Sequence, residues 1–564
     1  MNTEIFGVVA QFLLAVLLSF PLGKYIASVY GNKPVFLDAL MNPVERLLFK
    51  SAHINPEEQM GWKQHLQALL TINVVWLAAG FLLLINQDHL PFNPDHNPGM
   101  SPDLAFNTII SFVVNCNLQH YSGESGVSYL AQVWLMFLQF VSAATGMAAA
   151  AALFEAFRSK TTETLGNFYV YLVKSITRIL LPLSMVVAVA LLFEGVPMTF
   201  SGKGDMLTME GQEVQVSTGP VAAFVAIKHL GTNGGGYFGT NSAHPFENPT
   251  YFSNMIEMVA QMVIPLAMLF AFGIYTRRRK FSWMMFGVMT LGFLCLTIPN
   301  IYMEGQGNPM IKALGVNTEL GAMEGKEIRI GAAASGFWSI ATTVISTGSV
   351  NSMHDSSMPL SGMNQLLAMM VNSVYGGVGV GILNFFVFVI LAVFIGGLMV
   401  GRTPEIFGKK IEAREMKIAM LITLLHPFLI LVGTALSVAM PSHTLQTLNN
   451  PSYHGFSEML YEFTSSAANN GSGFEGLGDN TVFWNVATGF VLLLGRYLPI
   501  IGPVAIAGLL AHKKYIPEGP GTLATDTATF GAIVFAVVFI VAALAFFPAL
   551  TLGPIADYFS TPKF

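Results

Sequence analysis

Four short polar triplets interrupt a chain that otherwise avoids polar side chains: Asn115-Cys116-Asn117, Thr232-Asn233-Gly234, Ser346-Thr347-Gly348 and Asn469-Asn470-Gly471. Their first residues are spaced by 117, 114 and 123 positions, a long and nearly constant period of the kind that marks a repeated architectural unit. Asparagine and glycine tolerate left-handed backbone angles, so such turns can aim their carbonyl oxygens at a common axis. Rings of carbonyl oxygens replace the hydration shell of a cation. None of the triplets holds a carboxylate, which a Ca²⁺ or Mg²⁺ site normally recruits. Neutral carbonyls and hydroxyls suit a monovalent ion, K⁺ ahead of Na⁺, and the chemistry on offer is selective cation binding.

The elements that hold these triplets must lie in a bilayer. Of 564 residues 53% are hydrophobic and 10% charged, against about 25% charged in soluble domains, and the mean hydropathy is +0.58. Ten stretches approach the roughly 20 apolar residues a spanning helix needs: 5–29, 65–86, 127–155, 169–194, 251–274, 281–303, 364–399, 418–440, 482–510 and 528–553. The start of the chain has neither the basic region nor the cleavage site of a signal peptide and reads as a retained first membrane helix. Cys116 and Cys295 stand far apart and provide no disulfide framework. The net charge of -5 and the absence of a basic block give no sign of a nucleic-acid partner.

Lysine and arginine concentrate in the loops after the odd-numbered helices, with 17 there against 6 in the opposite loops and the tail, Lys563 included. By the positive-inside rule the odd loops are cytoplasmic and both termini face out. The outer connections after helices 2, 4, 6 and 8 each contain a second apolar run, at 103–114, 219–230, 334–345 and 456–468. A dozen residues span only about 18 Å as a helix, half a bilayer, so each run reads as a re-entrant half-helix. Ser101-Pro102-Asp103 and Thr218-Gly219-Pro220 supply a capping residue followed by proline in the first turn; the third run has no such clear start.

The expected fold is an all-α polytopic membrane protein of ten transmembrane helices. Four pseudo-symmetric units of helix, half-helix, polar turn and helix surround a central pore: 64–160, 161–280, 281–417 and 418–514. They are flanked by 1–63, with the first helix and a cytoplasmic loop, and by 515–564, with the last helix and an outer tail. Non-helical backbone at membrane depth is tolerated only where protein or a water-filled path covers it, and four such turns around one axis form a selectivity filter. The half-helices aim their partly negative C-terminal ends at the same place.

Arg496 lies inside the ninth helix, where an ionisable side chain is expensive and faces a cavity or a partner. It reads either as a positive barrier beneath the fourth turn that stops K⁺ from leaking, or as the partner of a carboxylate such as Glu257 or Glu475. Gly376, Gly377, Gly379 and Gly381 crowd into six positions of the seventh helix. They suit close packing or, by the favoured reading, a broken helix that gates the pore. The pairs Asp88–His89, Asp95–His96 and His354–Asp355 match no standard metal spacing and read as loop polarity or bracing of the filter. Cys116 lacks the accompanying base of a nucleophile. The chain has no G-x-x-x-x-G-K-[ST] loop and no D-K-T-G sequence, so ATP has to be handled by a partner, and no organic cofactor is expected.

The segments NCNLQHYSGE, GTNGGGYFGTNS, STGSVNSMHDSS and SSAANNGSGFEGL, with the cytoplasmic GRTPEIFGKKIE, resemble the potassium-binding A subunit of Kdp potassium-transporting ATPases, a relative of the Trk, Ktr and HKT transporters. The resemblance covers the whole chain. It implies a subunit of the bacterial inner membrane that takes up K⁺ from very low external concentrations and works with a P-type ATPase subunit, KdpB, and with KdpC and KdpF. It implies that the four triplets are the filter, that Gln119 tunes affinity, and that the ion leaves through a tunnel toward the ATPase subunit. Cys116 and Thr347 depart from the familiar threonine and cysteine, which leaves ion choice with the backbone and opens affinity to change. The alternative is a Trk- or Ktr-like channel or ion-coupled transporter without a dedicated ATPase. An organic-solute transporter would instead show inverted repeats around a midplane site.

Overall fold

The computed structural model describes residues 3–399, 401–517 and 522–560. Lys563 and part of the expected outer tail lie outside the described residues. Ten helices among those described are long and apolar enough to cross a membrane. They are α1 (Thr3–Tyr30), α3 (Trp62–Ile85), α5 (Tyr129–Arg158), α6 (Phe168–Phe193), α8 (Tyr251–Tyr275), α9 (Arg279–Gly305), α12 (Val380–Met399), α13 (Ala413–Ala439), α15 (Val482–Ala511) and α16 (Ala528–Leu550). Between them lie α2 (Asp38–Ser51), in the connection after α1, which the apolar pattern did not mark, and α11 (Pro359–Val371). A short helix, α17 (Ala556–Ser560), follows α16.

Four further helices sit where the short apolar runs predict them: α4 (Pro102–Val113), α7 (Val221–Leu230), α10 (Ala332–Ile345) and α14 (Ser452–Ala468). Each packs against the spanning or broken helix that precedes it and the one that follows, so the chain forms four helix, half-helix, helix hairpins. Ser101 stands at the N-cap position of α4 with Pro102 in its first turn, as expected, but its side chain makes no capping hydrogen bond. The start of α7 differs: Pro220 is itself the cap residue and the helix begins at Val221. Gly331, at φ +88°, leads into α10, which explains why no side-chain cap was visible there. The fourth is longer than a dozen residues, and its extra first turn carries His454 to a position between Asp355 and Asp557.

Two spanning helices, α5 and α8, are buried almost throughout, whereas α1, α3, α6, α13 and α16 turn most of their length outward. The reason for α5 is its run from Ala143 to Ala152, all small residues but Met147, and all buried; small side chains let helix backbones approach closely. The longest helix-helix contact runs between α1 and α8, and Gly23 lies directly against the Ala267 carbonyl of α8.

The seventh spanning stretch is broken. Helix α11 stops at Asn372, whose φ is +43°, and α12 starts at Val380. The intervening 372–379 is non-helical, and Tyr375, Gly376 and Gly379 have positive φ. Backbone groups freed inside a membrane need partners: Gly376 N–H donates to the Val344 carbonyl of α10 at 3.0 Å, and Asn384 reaches back to the Asn372 carbonyl at 3.2 Å.

Candidate cation-binding site

The four half-helices end in the same way. Cys116 N–H donates to the Ser111 carbonyl at 3.0 Å, Asn233 to Lys228 at 2.8 Å, Thr347 to Thr342 at 2.9 Å and Asn470 to Ser465 at 2.9 Å. Each bond spans five residues and closes a Schellman cap, in which the residue before the donor takes left-handed angles. Those residues are Asn115, Thr232, Ser346 and Asn469, with φ of 63°, 48°, 55° and 51°. The third residue of every triplet is left-handed as well: Asn117 at 57°, Gly234 at 88°, Gly348 at 81° and Gly471 at 103°. The middle residues are not. Thr232 is the least expected member, since left-handed angles are strained for a β-branched residue.

The turns meet as a ring. A Cβ added at Gly234 would strike the Thr347 carbonyl, one at Gly348 the Asn470 carbonyl, and one at Gly471 the Cys116 carbonyl. Glycine is required at these three points both by φ and by the approach of the neighbouring backbone. The ring closes from the first turn to the second, where Asn115 Nδ2 donates to the Gly231 and Thr232 carbonyls, each at 3.1 Å, and Asn233 Nδ2 donates to Asn115 Oδ1 at 2.6 Å. All twelve triplet residues thus come together, and eleven of them are buried, Gly471 being partly exposed. Buried polar atoms without a protein partner collect here: both amide atoms of Asn117, the Thr347 hydroxyl and Asn233 Oδ1.

Around the ring stands a polar shell that sequence reasoning missed. Asn241 Nδ2 donates to the Gly234 carbonyl at 2.7 Å, while its Oδ1 accepts from Lys228 Nζ at 2.8 Å and Ser349 Oγ at 3.1 Å. Lys228 is fully buried and paired with Glu247; Glu257 accepts from Ser242 Oγ at 2.6 Å beside His229. Between the first and fourth turns, His120 Nε2 lies 3.1 Å from Glu462 Oε1 and Nδ1 lies 2.6 Å from Asn485 Oδ1, with Asp479 at 3.9 Å. Burial pushes the His120 pKa down, but Asp479 and Glu462 more than offset it and hold it up at about 9. The signal available in the sequence was Lys228 inside an apolar half-helix, where a charge demands a partner.

Gln119 grips the second turn rather than the axis. Its Oε1 accepts from Gly236 N–H at 2.8 Å and its Nε2 donates to the Gly236 carbonyl at 3.0 Å. His354 braces the fourth turn, its Nδ1 2.8 Å from the Tyr461 hydroxyl, which in turn lies 2.8 Å from Ser472 Oγ.

The non-helical 372–379 segment touches the ring of turns directly. Val378 N–H donates to Thr232 Oγ1 at 2.9 Å, and Gly377 faces the Ile345 carbonyl and Thr232. Gly379 meets the Gly146 backbone of α5, and Gly381 meets the Tyr375 carbonyl. Arg496 is buried and donates to the Ser142 carbonyl of α5 at 3.5 Å. Among the described residues it forms no ion pair: Glu257 is held by Ser242, and Glu475 accepts from Asp355 N–H at 3.1 Å. Leu492, one helical turn before Arg496, packs with Cys116.

Comparison with solved structures gives a fold match to the potassium transporter TrkH from Vibrio parahaemolyticus, with a TM-score of 0.53 over 89% of this chain and 98% of that one at 14% identity. In sequence, the chain is 64% identical to the potassium-transporting ATPase potassium-binding subunit of Flavobacterium psychrophilum over 99% of this chain and all of that protein. It is 59% identical to the corresponding protein of Phocaeicola vulgatus and 47% identical to that of Geobacillus kaustophilus. Residues 9–559 match the family model described as potassium-transporting ATPase A subunit, KdpA. Ten spanning helices, a TrkH-like fold and this end-to-end match agree: the chain belongs to the KdpA family of potassium-transporting ATPase A subunits.

Proposed function

We propose that this chain binds K⁺ from the extracytoplasmic side in the ring of four turns and passes it toward a P-type ATPase subunit of an ATP-driven uptake pump. The observation that carries the reading is the fourfold recurrence of one capped, doubly left-handed turn at 115–117, 232–234, 346–348 and 469–471. In that geometry the middle carbonyls of Cys116, Thr347 and Asn470 reach across to the next turn, and the ends of four helix dipoles favour a cation between them. No carboxylate belongs to the ring, in keeping with a monovalent ion.

Arg496 and the 372–379 segment serve as the barrier and gate below the filter. A buried guanidinium that forms no ion pair among the described residues repels a cation leaving the ring, and the segment hangs on the filter through Thr232. Gln119 sets affinity through its clamp on Gly236. The proposed partners are KdpB, which hydrolyses ATP, and the small KdpC and KdpF; the proposed setting is the bacterial inner membrane with both termini outside, following the excess of basic residues in the odd loops. K⁺ is cargo, and the reading calls on no organic cofactor.

The test is K⁺-stimulated ATP hydrolysis by the chain purified with and without a co-expressed P-type partner. The pump reading expects K⁺-dependent turnover only with the partner. Channel-rate K⁺ flux by the chain alone in liposomes, unchanged by the partner, would instead make it a Trk-like conduit.

A further inference from the structure

Helix α2 is built inside out for water. Its polar residues Asp38, Asn42 and Glu45 face the protein, while Leu40, Val44 and Leu47 face away from it, Leu40 and Leu47 being 64% and 68% exposed. Phe36, just before the helix, is 81% exposed and lies on the same line at helical spacing.

One residue explains the inversion. Arg178 of α6 sits on a π-helical turn, Ser175–Leu180, a wide turn of the kind found at functional sites, and the Tyr25 hydroxyl donates to its carbonyl at 3.0 Å. Its guanidinium donates to both carboxylate oxygens of Glu45 at 2.6 Å and to Asn42 Oδ1 at 2.8 Å, and it pairs with Asp38. Glu45 is thereby buried, and Asp38, which stays partly exposed, has its charge paired. Lys33, Arg46 and Lys50 stay exposed, and the outward side of the 33–50 segment is apolar and positively charged.

The stripe also continues into apolar surface. Phe36 packs on Tyr25 of α1, ring centroids 5.5 Å apart, and with Leu37 it closes one end of a crevice of about 540 Å³ between α1, α6 and α8. Leu14, Leu18, Leu183 and Val259 line it, and it opens on the outward faces of α1 and α6, the part of the surface that meets lipid.

We infer that α2 lies in the plane of the membrane surface and that, with this crevice, it forms a binding site for anionic phospholipid. The apolar stripe enters the boundary between headgroups and acyl chains, as amphipathic in-plane helices do. Lys33, Arg46 and Lys50 hold the phosphate, and the crevice receives an acyl chain. Under the proposed orientation this is the cytoplasmic leaflet, whose anionic lipids attract such basic segments.

The test uses the full chain with Cys295→Ser, carrying Leu47→Cys labelled with bimane, in nanodiscs of phosphatidylcholine and phosphatidylglycerol. Doxyl-labelled lipid should quench the label and iodide should not, with the reverse for a label at Met209→Cys, an exposed residue in the turn between the antiparallel strands Gly204–Leu207 and Glu213–Val216. Iodide quenching at Leu47→Cys, or lipid exclusion that appears only when a partner subunit is present, overturns the proposal; the second result assigns the stripe to a protein. Neither readout depends on K⁺ transport. In a second arm, the surface variant Lys33→Gln/Arg46→Gln/Lys50→Gln should lose about fivefold or more of its co-purified phosphatidylglycerol relative to phosphatidylethanolamine, on the scale of one charge near an anionic surface. Unchanged lipid ratios overturn the headgroup assignment.

Discussion

The Thr232 hydroxyl accepts the Val378 N–H at 2.9 Å, so a strained residue of the ring of turns also holds the broken seventh stretch. Thr232→Ser keeps the acceptor and should keep K⁺ affinity within a factor of about two. Thr232→Val leaves a buried N–H unpaired, a cost of about 1–3 kcal/mol, and should weaken K⁺ binding by roughly tenfold or more. Equilibrium K⁺ binding to both variants decides it: equal affinities would detach the segment from the filter.

Gly234 combines φ +88° with a neighbouring carbonyl where its Cβ would go. Gly234→Ala adds left-handed strain of about 1–2 kcal/mol and displaces the Thr347 carbonyl. The expected outcome is at least about tenfold weaker K⁺ binding and a reduced preference over Na⁺, and Gly234→Asp should be worse because it adds a carboxylate. Competition binding of K⁺ against Na⁺ measures both.

Arg496→Met should open a leak. A unit charge roughly 8 Å from a passing ion is worth about 2 kcal/mol at an effective dielectric of about 20, so passive K⁺ flux in liposomes should rise by roughly thirtyfold. Arg496→Lys keeps the charge and should stay tight. Equal flux in both variants would assign the residue to packing alone.

The His120 imidazole is held protonated between Glu462 and Asp479, with its pKa raised from the ordinary 6.5 to about 9. A raised folded-state value means that its contribution to stability is complete below pH 6.5 and is lost as pH climbs through 9. Thermal stability should therefore be lower at pH 9.5 than at pH 7 by this contribution. Glu462→Gln removes one of the carboxylates that hold the proton and should move the loss to lower pH. A melting profile against pH that is the same in wild type and Glu462→Gln would refute the pairing.

Cys116 offers the ring its carbonyl, while its side chain is buried with Ile110, Val114, Leu118 and Leu492. Cys116→Thr should preserve the order of K⁺ over Na⁺ and change affinity by only a few fold, with the larger risk in packing against Leu492. A reversed ion order would show that the thiol itself faces the ion.

The half-helices and the ring were legible because they are local facts written four times: a short apolar run, then a residue type that accepts a left-handed turn. The break in the seventh spanning stretch was legible from Gly376 to Gly381 for the same reason. What could not be read was anything that exists only when distant units meet. His120 and Glu462 are 342 positions apart, and nothing near either one names the other. Lys228 counted as an outer-loop base in the charge pattern, yet it is wholly buried, because the pattern reports side of membrane and not depth. Helix α2 escaped notice because its leucines face outward and its acids inward, the reverse of the soluble pattern that periodicity is tuned to find.

Asn117 occupies the position that Gly234, Gly348 and Gly471 hold in the other turns, at nearly the same left-handed angle. In a pore assembled from identical subunits, every substitution arrives in all quadrants at once and must be tolerable in each. A ring drawn from one continuous polypeptide is free of that condition, and a single quadrant can take a side chain the others could not hold. Such a ring can be altered one quadrant at a time, and at Asn117 one quadrant carries a side chain where the other three carry none.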